Sequence, residues 1–229
     1  MGMVIDGKWI DDDEKFRNPT GGAFVRAQSV WRDATTADGS SGFKAEPGRY
    51  HLFLAPSCPW AHRTQIVRRL KGLEDVISVT LSDLPRVTSW AYTQGIDELQ
   101  PGDNGKLELH DVYIAADPNY TGRVTVPTLW DRQKKTIVNN ESSEIIRMLN
   151  TEFDEWATAD LPDLYPQAHR AEIDTLNDRI YETINNGVYR CGFAKSQEAY
   201  EEFIYPMFET LGFLEERLSK QRFLAAEHP

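Results

Sequence analysis

An α/β domain followed by an all-helical domain is the architecture that this sequence predicts, and two observations predict it. Between residues 49 and 160, short apolar runs of strand length alternate with helix-spaced segments bounded by Gly and Pro. After Asp160-Leu161-Pro162 the strand signals end, and Ala168 to Asn185 and Glu198 to Leu218 both carry helical periods. The expected boundaries are an extension over 1–48, an α/β domain over 49–160 and a helical domain over 161–229.

The extension mixes Trp9, Phe16, Phe24 and Trp31 with Gly, Asp and Pro and sustains neither period. It is expected to be irregular, with its aromatics docked on the body. Tyr50 to Ala55 (YHLFLA) then reads as a strand, which Pro56-Ser57 breaks. Pro59 suits the first turn of a helix that runs from Trp60 to Lys71 and ends at Gly72. Val76 to Leu81 (VISVTL) reads as a second strand, and a right-handed crossover lays it parallel to the first.

Residues 83–122 are too long for an ordinary connection and read as an insertion with a short helix near Val112 to Ala115. Val124 to Trp130 and Thr136 to Val138 form a hairpin around Asp131 to Lys135. Asn140-Glu141-Ser142-Ser143-Glu144 then opens a helix through Leu149, with carboxylates near its positive end. This order, βαβ followed by ββα, is the thioredoxin arrangement.

Composition narrows the function. The chain has 229 residues, 40% of them hydrophobic, which is enough for one large or two moderate cores. Its formal net charge of -11 argues against nucleic acid as a partner, since that affinity rests on Lys and Arg neutralising phosphates. No apolar stretch reaches membrane-spanning length, and Asp11 to Glu14 is acidic where a signal peptide would be apolar. A cytoplasmic protein with no membrane partner is expected. Arg63, Arg68 and Arg69 cluster on a helix whose Ile66, Val67 and Leu70 read as buried, so those arginines are expected on a solvated face.

The chemistry centres on Cys58, one of two cysteines. At the start of a helix its sulfur meets unpaired N–H groups and the positive end of the helix dipole, which favour the thiolate. Arg63, one turn on, and His62 are positioned to help. A lone cysteine is ordinarily a small buried hydrophobe. Here a strand end, a turn and a proline place the sulfur at the carboxyl edge of a sheet, where α/β proteins build sites.

Ala61 stands where a dithiol oxidoreductase carries its second cysteine, so Cys58 cannot close a disulfide at that site. A resolving thiol must come from outside, with glutathione as the obvious donor. Cys191 has two readings, an internal resolving thiol and a helix-packing residue. Cys58 and His62 share a helix face, but two ligands do not make a metal site and no second pair has the spacing; no metal is expected.

Val126-Pro127 is a second signal, because a cis peptide there would expose the Val126 backbone to an extended ligand. Glu141-Ser142 is a third. A helix start offers N–H donors to a ligand carboxylate while Glu141 can hold an amine. Taken alone, these two are also an edge-strand proline and a helix cap.

Four segments together carry a family resemblance: Ala55 to Arg63 (APSCPWAHR), Arg123 to Leu129 (RVTVPTL), Val138 to Arg147 (VNNESSEIIR) and Asn185 to Phe193 (NNGVYRCGF). From about Gly48 onward the chain resembles the glutathionyl-hydroquinone reductases, the Xi class of glutathione transferases. The resemblance implies a thioredoxin-like glutathione-binding domain joined to an all-α domain of glutathione-transferase type. It implies glutathione, as co-substrate, lying along Trp90, Arg123, Val124, Thr125, Val126, Pro127, Glu141 and Ser142. It makes Cys58 the nucleophile and Tyr189 a catalytic contact to an aromatic quinone thioether. It also implies a homodimer through the helical domain.

The expected reaction is reductive deglutathionylation of a glutathionyl-hydroquinone through a Cys58–glutathione mixed disulfide. The alternatives are a general thioltransferase on mixed disulfides and a noncatalytic glutathione-binding module. Two departures stand out. Cys191 replaces a small non-thiol residue of the motif, and members of the family continue well beyond Arg222-Phe223-Leu224, so the helical domain is expected to be incomplete.

Overall fold

The computed structural model describes residues 2–11, 24 and 28–225. They divide into two compact units: residues 2–11 with 28–161, and residue 24 with 162–225. Phe16 of the expected docked aromatics lies outside the described residues.

The first unit is built on a four-stranded sheet of β3 (Tyr50–Leu54), β4 (Ser78–Leu81), β8 (Thr128–Asp131) and β9 (Thr136–Asn139), in the order β4-β3-β8-β9. Strand β3 pairs parallel with β4 and antiparallel with β8. The parallel pair needs a crossover, which helix α1 (Pro59–Leu70) supplies. The β8–β9 hairpin turns at Lys135 with φ of 54°. Helix α3 (Ser142–Thr151) follows and packs on α1. The fold is thioredoxin-like.

Every residue of β3 is buried, as expected of a strand covered on both faces. Leu52 and Phe53 meet Leu129, Ile137, Val138, Ile145 and Leu149 in one hydrophobic core. An ion pair lies beneath it: Arg49 Nη2 is 2.6 Å from Asp131 Oδ2, and Asp131 is fully buried. Asp131 Oδ1 also accepts from the backbone N–H groups of Gln133 and Lys134, which fixes the β8–β9 turn.

Three expectations are corrected. The extension is not irregular throughout: β1 (Met3–Ile5) and β2 (Lys8–Ile10) form a hairpin, and β1 pairs with β7 (Gly122–Arg123), Met3 opposite Arg123. Further along, Arg32 bridges Asn139 and Thr36 bridges Lys44. The stretch 83–122 is more than an insertion, since β5 (Ala91–Tyr92) and β6 (Leu107–Glu108) pair there and helix α2 (Leu109–Ala116) packs on β9. It is the second crossover of the sheet.

The third correction concerns α1. Ile66 and Leu70 are exposed while Arg68 is buried. Its guanidinium donates to the carbonyls of Ile77, at 2.6 Å, and Glu74, at 2.9 Å, closing the turn into β4. Gly72 ends the helix with φ of 64°, as its sequence position predicts.

The second unit contains α4 (Arg170–Ile180), a π-helical turn over Tyr181–Asn185, α5 (Gly187–Gly192) and α6 (Gln197–Leu218). The helical period over Ala168 to Asn185 is therefore interrupted. Arg179 of α4 donates to Thr210 Oγ1 of α6 at 3.1 Å and stacks over Phe213. Pro206 lies inside α6. No helix among the described residues is long and apolar enough to cross a membrane.

Candidate functional site: Cys58 and the walls beside it

Cys58 caps α1 in an extended conformation, φ -99° and ψ 114°, with Pro59 in the first turn. Proline has no N–H to leave unsatisfied there, and its fixed φ suits the helix. The Cys58 carbonyl accepts the first helical bond, from His62 N–H, so the backbone is committed while the side chain stays outside the helix. Its sulfur is half-buried and lies 3.6 Å from the Val126 carbonyl oxygen. The Val126-Pro127 peptide is cis. Cys58 and the RVTVPTL segment, far apart in sequence, therefore meet.

Arg63 joins α1 to the start of α3. Its Nε and Nη2 donate to Ser142 Oγ at 2.9 and 2.7 Å, and Nη2 stands 3.5 Å from Glu141 Oε1. The guanidinium also lies over the Trp60 ring, 5.1 Å from its centre. Composition and periodicity placed this arginine on a solvated face; it instead pins the helix start that carries Glu141 and Ser142. Glu141 caps α3 by accepting from Ser143 N–H at 3.1 Å. Ser29 Oγ donates to its other oxygen at 3.3 Å. Ser142 is almost wholly buried.

The remaining residues are placed as follows. Arg123 lies in β7, held by β1, and its carbonyl accepts from Tyr120 Oη at 2.7 Å. Val124 packs on the core, Val126 is buried in it, and Thr125 hydrogen-bonds the Tyr113 hydroxyl. Trp90 precedes β5, with its carbonyl accepting from Leu109 N–H and Arg86 stacked on its ring. His62, expected beside the thiolate, is exposed and lines a cavity of about 220 Å³ with Leu54, Ile66, Arg69 and Leu81.

Tyr189 belongs to the second unit, in α5, where its ring packs against a touching pair, Phe24 and Phe193, with ring centres 6.4 and 6.3 Å away. Cys191, in the same helix, is half-buried, and burial pushes its thiol above the ordinary cysteine range. That disfavours the thiolate which an internal resolving role would need. The described residues hold no cluster of three or more metal-ligating side chains.

Sequence reasoning missed Tyr113 and Asn140. Tyr113 sat in a stretch with no motif, and Asn140 read only as part of a helix cap.

Comparison with known proteins gives the arrangement its place. Residues 57–152 match the family described as the N-terminal domain of glutathione S-transferase. The chain is 51% identical over 229 residues to the glutathionyl-hydroquinone reductase PcpF of Sphingobium chlorophenolicum, covering 99% of this chain and 71% of PcpF. Its fold is similar to the glutathione-bound structure of YqjG, a glutathione transferase homolog from Escherichia coli K-12, with a TM-score of 0.82 and 43% identity over 99% of this chain and 70% of that one. A Xi-class glutathione transferase from Natrialba magadii aligns with a TM-score of 0.83 and 42% identity, over 98% of this chain and 67% of that one. The chain belongs to the glutathionyl-hydroquinone reductase family, the Xi class of glutathione transferases.

Proposed function

We propose that this enzyme removes glutathione from glutathionyl-hydroquinones by reductive thiol exchange, with Cys58 as nucleophile. The observation that carries the reading is the setting of Cys58: a half-buried thiol at the first turn of α1, against the Val126 backbone, with alanine at position 61. The free N–H groups of the helix start favour anionic sulfur. With no second thiol in the motif, the oxidised form is a mixed disulfide.

The reaction balances in two steps. Cys58 thiolate attacks the sulfur of the aryl thioether, forming the Cys58–glutathione S–S bond. The aryl C–S bond breaks, its electron pair stays on the ring carbon, and that carbon takes a proton to give the free hydroquinone. A second glutathione then attacks the mixed disulfide, returning Cys58 and releasing oxidised glutathione. Tyr189 assists the proton transfer or polarises a quinol oxygen.

Glutathione lies along Trp90, Arg123, Val124, Thr125, Val126, Pro127, Glu141 and Ser142. Support comes from the chemistry of the α3 start, where N–H donors suit a carboxylate and Glu141 suits an α-amine. Reduced glutathione and a working free thiol both require a reducing compartment, so we place the enzyme in the cytoplasm. A homodimer through the helical unit fits the exposed Tyr205 and Phe208 of α6.

The test is glutathione-dependent release of hydroquinone from a glutathionyl-hydroquinone. Cys58→Ser is expected to abolish turnover, and Tyr189→Phe to slow it by about 10²-fold, within the range of general acid–base catalysis. Turnover that survives Cys58→Ser would refute the thiol mechanism. Preference for protein–glutathione disulfides over aryl thioethers would make the protein a thioltransferase.

A further inference from the structure

We propose that two buried tyrosine hydroxyls, of Tyr113 and Tyr120, are a positioning clamp that sets the backbone of the glutathione site. The inference deepens the proposed function and rests on its placement of glutathione along Arg123–Val126 and Glu141–Ser142.

The geometry is specific. Tyr113 is fully buried, and its ring lies 5.2 Å from that of Tyr120, centre to centre. A phenol hydroxyl has one proton to give and two lone pairs to fill. Tyr113 Oη donates to the Thr125 carbonyl at 3.0 Å and accepts from Thr125 N–H at 3.3 Å and Asn140 Nδ2 at 2.9 Å. All three valences are used, and they join two segments. One leads directly into Val126, against Cys58; the other leads directly into Glu141 and Ser142.

Tyr120 completes the clamp from the other end. Its hydroxyl donates to the Arg123 carbonyl at 2.7 Å, two residues before the carbonyl that Tyr113 holds. Burial pushes the Tyr120 phenol above its ordinary range, so the proton it donates stays in place. Asn140 in turn is fixed by Trp31, whose N–H donates to Oδ1 at 3.3 Å and whose carbonyl accepts from Asn140 N–H at 3.1 Å. The two walls expected to hold glutathione therefore share hydrogen-bonding partners, and neither can shift without breaking a buried bond. Both tyrosine hydroxyls bond to protein groups, and they act on glutathione through the backbone.

Tyr113→Phe and Tyr120→Phe remove only the hydroxyls. Dissociation constants for reduced glutathione would be measured by calorimetry on the full chain, with melting curves for folding and the rate of Cys58 alkylation by iodoacetamide as an independent readout. Each folded variant is expected to weaken glutathione binding about tenfold, the size of a lost buried hydrogen bond. Protection of Cys58 from alkylation should need about tenfold more glutathione, and the loss should appear in the KM for glutathione more than in kcat; the reverse split would count against the clamp.

Glu141→Gln separates the clamp from the placement of glutathione. If it weakens glutathione while both Phe variants bind like the parent, the clamp is refuted and the site stands. If it leaves binding unchanged, glutathione does not lie at Glu141 and the clamp falls with the placement. Failure of both Phe variants to fold would assign the hydroxyls to the core and also overturn the proposal.

Discussion

Single side chains show how burial redirects charged groups. His51 is buried in β3, with Nδ1 2.7 Å from Ser78 Oγ. Burial, with Arg132 and Arg68 adding to it, lowers its pKa to about 3 from the ordinary 6.5. The unfolded chain then binds more protons between those two values, so stability rises with pH through that window and is lost as pH falls. Protonating this one group on unfolding should remove about 2 kcal/mol at pH 5 relative to pH 7.5, or roughly 5 °C in Tm. His51→Gln should flatten that part of the pH dependence; melting curves of both proteins at the two pH values check it. An unchanged slope would mean that the ring takes up its proton while folded.

Arg68 teaches the complementary lesson. Its charge suggested solvent, but the turn after α1 leaves the Glu74 and Ile77 carbonyls to be satisfied, and a guanidinium fork reaches both. Cys58 could be read because strand, turn and proline announced it together. Tyr113 could not, because its partners, Thr125 and Asn140, are neighbours only in the folded chain.

Among the elements, the thioredoxin-like sheet was readable from short apolar runs of strand length, and its two flanking helices from the helical spacing of Trp60 to Lys71 and the start signal at Asn140 to Glu144. The N-terminal hairpin was missed, although Asp6-Gly7 between apolar runs is a strong signal for a tight turn. Asp6 and Gly7 both have positive φ, 47° and 71°. A Cβ on Gly7 would also stand 2.0 Å from the Pro118 carbonyl oxygen. Gly7→Ala is therefore expected to destabilise the hairpin by about 1–3 kcal/mol. Hydrogen exchange at Val4 and Gly122 should accelerate well before the amides of β3 respond; uniform protection would refute a locally docked hairpin. The helical period over Ala168 to Asn185 hid a different feature, since a π turn inserts a residue without altering the apolar pattern enough to be seen in sequence.

The molecule as a whole carries an apolar surface that its described residues do not cover. Tyr205 is 68% exposed and Phe208 63%, close together along one side of α6. In the proposed homodimer this side meets a second copy. Phe208→Glu with Tyr205→Lys should then halve the mass in light scattering and leave the far-UV spectrum unchanged; an unchanged mass would place the subunit contact elsewhere. The nature of the reaction was available from four short motifs, whereas this surface became visible only when α6 had neighbours.

The pairing of Met3 with Arg123 has a practical corollary. The third residue of the chain is a hydrogen-bonded neighbour of the strand that enters the proposed glutathione cleft. Any change that unpairs β1 would therefore be felt at Arg123, one β-bridge away, and through it at the proposed cleft.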